Sequence, residues 1–171
     1  NTISLASRVV AVSISDASGV ASGGNAPRIY FRKGAGAYSS TTCAGTAPAF
    51  TCTIDYTLIG GVIASDVIGY FVIAQDTLGN IGAVPGAGLV ASNVNTITTP
   101  PTTPASYTLL APFPGAVNVG PAETITSLTN TGGLFDALNN GVLNSNVVVT
   151  LTGDLTAELG TVALNQLAEE G

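Results

Sequence analysis

Chemistry in this chain would have to come from its carboxylates and its two cysteines, Cys43 and Cys52. Glycoside hydrolysis needs only two carboxyl groups, set roughly 5 to 10 Å apart. Asp66 and Asp76 lie at opposite ends of one apolar run. About ten residues of strand at ~3.3 Å each separate them by roughly 33 Å, far outside that window. Asp154 and Glu158 are closer in sequence, but they flank an exposed connection with no aromatic platform for a sugar ring. There is no histidine, so Ser/His/Asp and Cys/His triads and His-based zinc sites are excluded. No catalytic set, metal-ligand set or cofactor is expected, and the chain reads as non-enzymatic.

The spacing of Cys43 and Cys52 matches no CxxC redox or zinc pattern. A disulfide across a local loop is the simplest reading. Closing so short a loop contributes roughly 2 to 3 kcal/mol in the chain-entropy model, and the bond persists only in an oxidising compartment, which points outside the cell. The alternative is a pair of buried free thiols.

Three further features offer weaker chemistry. Asp76 and Asn80 could give oxygens to a calcium ion, but with only Asp66 as a remote third acid the site is short of ligands. Hydrogen bonding of Asp76 within its own turn is the expected use. The run TNTGGLFDALNNG at 129–141 places Gly132 and Gly133 at a helix start, where amides can hold an anion. No Lys follows, and neither GxxxxGK[ST] nor GxGxxG occurs, so a tight turn into a helix is expected. Tyr30, Tyr38, Tyr56 and Tyr70 are the conspicuous candidates for stacking on a sugar, with sheet packing as the competing use.

Composition bounds the partners. Only Arg8, Arg28, Arg32 and Lys33 are basic against ten acidic residues, and the net charge of −6 repels phosphate backbones, so nucleic acid is not expected. No apolar run approaches the ~20 residues of a membrane span, so no membrane insertion is expected.

The elements that would carry these residues are strands. Arg8–Ser15 alternates Val10, Val12 and Ile14 against Val9, Ala11 and Ser13. Arg28–Lys33 places Ile29 and Phe31 on one face and Arg28, Tyr30 and Arg32 on a polar outer one. Phe50–Tyr56 alternates with Cys52 inward, Asp66–Gln75 is apolar on both faces as a central strand, and Leu89–Val94 closes the set. Residues 96–106 hold three prolines and no charge, and read as an extended spacer. Beyond it, Glu123–Leu128 reads as a short strand and Gly133–Asn140 as a helix capped by Thr131 and ended by Gly141. Asn146–Leu151 reads as a further strand, and Val162–Leu167 as the start of another element. The expectation is an all-β chain: a β-sandwich over 1–97, a Pro/Thr linker over 98–106, and a second β-rich segment with one short helix over 107–171. The first residues read as no signal peptide, so either one has been removed or the chain is expected to be an internal fragment, and the stop at Gln166–Gly171 without a cap favours the fragment.

VIGYFVIAQDTLGN at 67–80 resembles the penultimate strand and turn of bacterial immunoglobulin-like and fibronectin-III-like repeats. ITSLTNTGGLFDALNNGVLNSNVVVTLTGDL at 125–155, with GTVALNQ at 160–166, resembles the opening segment of very large surface proteins of gliding bacteria. The resemblance implies an Ig-like or fibronectin-III-like sandwich, export by a type IX secretion system, and a right-handed parallel β-helix after Gly171. The C-terminal sorting domain of that group does not occur within these residues. Asp76, Thr77 and Leu78 also fit the Asp-Thr-aliphatic signal for O-glycosylation in that group, which implies a glycan on Thr77.

The function expected is a structural or adhesive module of a secreted cell-surface protein. Its partners would be other surface-protein domains, copies of itself, or glycans. A filament subunit that donates Arg8–Ile14 to a neighbour's sheet edge is one alternative, and a carbohydrate-binding module is another.

Overall fold

In the computed structural model, which describes residues 2–143 and 145–165, the ordered elements run β1 (Arg8–Ser13), β2 (Arg28–Lys33), β3 (Ser39–Thr42), β4 (Ala44–Thr46), β5 (Ala49–Ile54), β6 (Val67–Gln75), β7 (Ile81–Val84), β8 (Val90–Asn93), β9 (Thr96–Thr99), β10 (Ala105–Thr108), β11 (Ala116–Val119), α1 (Leu134–Asn140) and β12 (Val148–Leu151). Among the described residues the regular structure is β apart from α1 and two short 3-10 turns. It divides into two units, one of them Ser4–Leu109 and the other Leu110 onward together with the N-terminal residues.

The first unit holds two larger sheets and the two-stranded sheet β8-β9. Of the larger two, one is three-stranded and antiparallel, in the order β1-β5-β4. The other runs β10-β6-β2-β3, with β7 also paired to β6. Along β6, Val67–Tyr70 pair with β10 and Val72–Gln75 with β7, while β2 takes the opposite side. Alternation within the strands sends Ile29, Phe31, Phe50, Cys52, Ile54, Ile68 and Val72 from both sheets into one buried cluster. Each such large side chain contributes roughly 1.5 to 3 kcal/mol on leaving water.

The other face of β2 is not the polar surface that its charges suggest. Tyr30 stacks on Phe71 with ring centroids 5.4 Å apart, and Phe71, Ile73 and Val94 are fully buried. Tyr30 donates its hydroxyl to the Val94 carbonyl at 2.9 Å, and Gln75 Oε1 accepts from the Val94 amide at 3.1 Å. Arg28 Nη1 donates to Asn95 Oδ1 at 2.8 Å. The segment around Val94 thus caps this face. β8, expected to close the sandwich as Leu89–Val94, pairs among the described residues only with β9.

The Pro/Thr run expected as a spacer over 98–106 falls within the first unit. β9 takes its start, and β10 takes its end, with Ala105 registered opposite Tyr70 of β6. The three prolines lie between these strands, where no ladder amide is required. β5 also ends sooner than Phe50–Tyr56 suggests. Asp55 leaves the ladder and accepts from the Thr57 amide at 2.9 Å, capping a 3-10 turn over Tyr56–Ile59.

In the second unit β11 and β12 pair in parallel, Ala116 opposite Val148 and Val119 opposite Leu151. Two isolated bridges, Pro112 with Val142 and Val119 with Ile125, are parallel as well. Ile125 is thus the paired position within Glu123–Leu128, which forms no strand. Val117, Val119, Leu134 and Leu138 form the core, with Phe113, Leu128 and Phe135 packed on it. Thr131 does not cap α1. The N-cap is Gly133, with no side-chain acceptor, and Gly141 ends the helix by donating its amide to Leu138 O. Residues 162–165 form no strand, and the remainder of Val162–Leu167, like the terminus at 166–171, lies outside the described residues.

Candidate functional site

Cys43 and Cys52 are joined, with Cα atoms 4.2 Å apart. Cys43 sits between β3, which belongs to the larger sheet, and β4, which belongs to the smaller. The bond therefore ties the point where the chain changes sheets to the middle of β5. Both residues are buried in the shared core.

Asp76 follows β6 directly and is buried. Its Oδ1 accepts from the amides of Leu78 at 2.9 Å and Asn80 at 2.7 Å, and its Oδ2 accepts from Asn80 Nδ2 at 2.6 Å. The hydrogen bond from the Asn80 side chain leads the causes that hold this carboxyl below its ordinary range. Asp76 and Asn80 are brought together, but on each other: the Asp76 carboxylate accepts from the Asn80 amide and side-chain NH2, which closes the turn. Asp66 stays at the far end of β6, accepts from the Ile63 amide at 2.8 Å, and lies 3.8 Å from Lys33 Nζ. Among the described residues no three acidic, Cys or His side chains gather as a metal cluster. Thr77 is exposed on this turn, donating Oγ1 to Ser18 O at 2.6 Å.

The four tyrosines form two groups. Tyr30 and Tyr38 both meet Phe71, the second edge-on at 5.3 Å, and the Arg32 guanidinium lies 4.7 Å over the Tyr38 ring. Tyr56 and Tyr70 both meet Tyr107, Tyr56 through a 2.8 Å hydroxyl contact and Tyr70 through its ring at 6.0 Å. No single row of exposed rings results.

In the second unit Glu158 reaches back to the loop before α1. It accepts from the amides of Leu128 and Thr129, each at 2.8 Å, and from the Thr129 hydroxyl. That hydroxyl, ahead of the amides, pulls the carboxyl down to about 2. Asn130 completes the clamp, donating to Ala157 O and accepting from the Leu159 amide, both at 2.8 Å. Asp154 is exposed and takes no part. The amides at the Gly132–Gly133 step are also committed: Gly132 N donates to Asp136 Oδ2, and Gly133 N to Asn130 O, each at 2.8 Å. Sequence reasoning missed this clamp, because its donors and acceptors lie about thirty residues apart with no local pattern to reveal them.

Sequence reasoning also missed a groove of about 740 Å³ in the first unit. It is lined by Val10, Val12 and Ile14 from β1 and just past it, by Tyr70 and Val72 of β6, and by Val84 of β7. The lining residues come from β1, an edge strand of the smaller sheet with no further strand paired to it among the described residues, and from β6 and β7 of the larger sheet. The groove is apolar, with Asp16 and Asp76 among its lining. No family model, curated protein or solved structure matches the chain.

Proposed function

We propose that this chain is a non-enzymatic structural or adhesive segment of a secreted cell-surface protein. The observation that carries this reading is how its carboxylates are spent. Asp55, Asp76 and Glu158 each accept amide hydrogen bonds that close a loop of their own unit. A chain so arranged uses its charge to hold shape. The buried Cys43–Cys52 disulfide supports an oxidising location.

Two sheets around one core support an Ig-like or fibronectin-III-like sandwich for the first unit. The parallel pairing of β11 with β12, and the two parallel bridges beside it, support the opening of a parallel β-helix for the second. Type IX export and a glycan on Thr77 belong to the same reading, and the exposure of Thr77 on its turn supports the second. Antibodies against the chain should label intact cells of its source, and material recovered from the cell surface should show a hexose-sized mass increment that Thr77→Ala removes. Labelling that needs lysis would defeat the surface reading, and an unmodified mass would remove the glycan alone.

A further inference from the structure

Arg8, Val10, Val12, Ile14 and Asp16 occupy alternate positions along and just past β1. Val10, Val12 and Ile14 are half-buried against the core, whereas Val9, Ala11 and Ser13 are exposed. Asp16 lines the same groove as the three apolar residues. The Ile14 amide donates to Pro48 O at 2.8 Å, one step beyond the pairing of Ser13 with Ala49. Hydrogen-bonded positions in an antiparallel ladder recur at every second residue. The backbone groups of Val10 and Val12 therefore face β5, and those of Val9, Ala11 and Ser13 point to the open side. Among the described residues no strand pairs there, and neither proline nor bulge blunts the edge.

We propose that this edge pairs with β1 of a second copy, the two strands running antiparallel about Val12. Val12 then faces Val12, Val10 faces Ile14, and Arg8, whose guanidinium lies over the Tyr107 ring in the single chain, comes opposite Asp16 of the other copy, whose Oδ1 accepts from the Ser18 amide at 2.7 Å and whose Oδ2 is left to meet it. Apolar side chains meet at the centre and opposite charges meet at both ends. Centring the pair on Ala11 instead sets Arg8 against Ile14 and leaves Asp16 unmatched, so charge selects the register. The outward groups of Ala11 and Ser13 supply the ladder. The added strand turns its own Val10, Val12 and Ile14 to the groove side, toward Val84, which is 77% exposed in the single chain. This inference stands on the geometry of the edge and is independent of where the protein resides.

Sedimentation of the full chain at rising concentration should show a monomer–dimer equilibrium. Ala11→Pro removes an outward amide and should abolish the dimer with the circular dichroism of the monomer unchanged. If that variant fails to fold, charge exchange decides. Asp16→Arg sets Arg against Arg at both ends and should weaken association roughly tenfold, and Arg8→Asp combined with Asp16→Arg should restore it. A chain monomeric at every concentration overturns the proposal, as does a dimer that Asp16→Arg leaves unmoved or that the double exchange fails to restore.

Discussion

The hydroxyls of Tyr56 and Tyr107 lie 2.8 Å apart in the core of the first unit, each the other's partner, with the Arg8 guanidinium 4.7 Å over the Tyr107 ring. Burial first, and then the hydrogen bond with Tyr56, raises the Tyr107 phenol well above its ordinary range. Because the folded state keeps this proton when the unfolded state releases it, the stabilisation is complete below about pH 10 and declines as pH rises beyond it. Phenolate absorbance of the native chain should therefore report fewer than its five tyrosines until unfolding releases the rest.

Removing one hydroxyl of that pair strands the other. Tyr56→Phe should cost about 1 to 3 kcal/mol in denaturant unfolding. The Tyr56→Phe/Tyr107→Phe double variant should cost less than the sum of the two singles, because it leaves no orphan.

The disulfide closes a short loop, but it does so where the chain changes sheets. Denatured, unreduced protein should show no titratable thiol. Reduction should lower stability by about 2 to 3 kcal/mol.

Glu158 and Asp76 both have carboxyls held below their ordinary values, so their contribution is present above the unfolded carboxylate range and is lost as pH falls through the folded value. For Glu158 that window runs from about pH 4.5 down to about 2. Glu158→Gln should flatten the acid limb of stability against pH, while Asp154→Asn, an exposed neighbour, should leave it unchanged.

A methyl group at Gly133 would stand 2.7 Å from Ser127 O and 2.8 Å from Asn130 O, both rigid backbone atoms of the clamped loop. Gly133→Ala should cost about 1 to 3 kcal/mol by overpacking and should weaken the protection of the Leu134 and Phe135 amides from hydrogen exchange.

β1 and β2 were legible because their apolar residues alternate, β6 and β12 because they are short runs rich in β-branched apolar residues, and α1 because Leu134, Phe135 and Leu138 share a helical face. β7, β9 and β10 were not. Ile81–Val84 is short and holds a glycine, and Ala105–Thr108 follows a proline run. What makes strands of β7 and β10 is the far side of β6, whose unpaired backbone groups take both along its length. Tyr30 shows the same limit on faces: alternation separates it from Ile29 and Phe31, but only the segment at Val94 decides that its side is covered.

By itself the sequence determined the features whose partners lie within a few residues of each other: the alternating strands, the Asp76 turn with donors at Leu78 and Asn80, and the short Cys43–Cys52 loop. Tertiary structure alone decided the Glu158 clamp, the Tyr56–Tyr107 pair and the open edge of β1, for each joins or exposes groups tens of residues apart. Local geometry follows from covalent neighbours, whereas which face is buried and which edge is left unpaired depend on how distant segments compete for the same backbone and apolar surface.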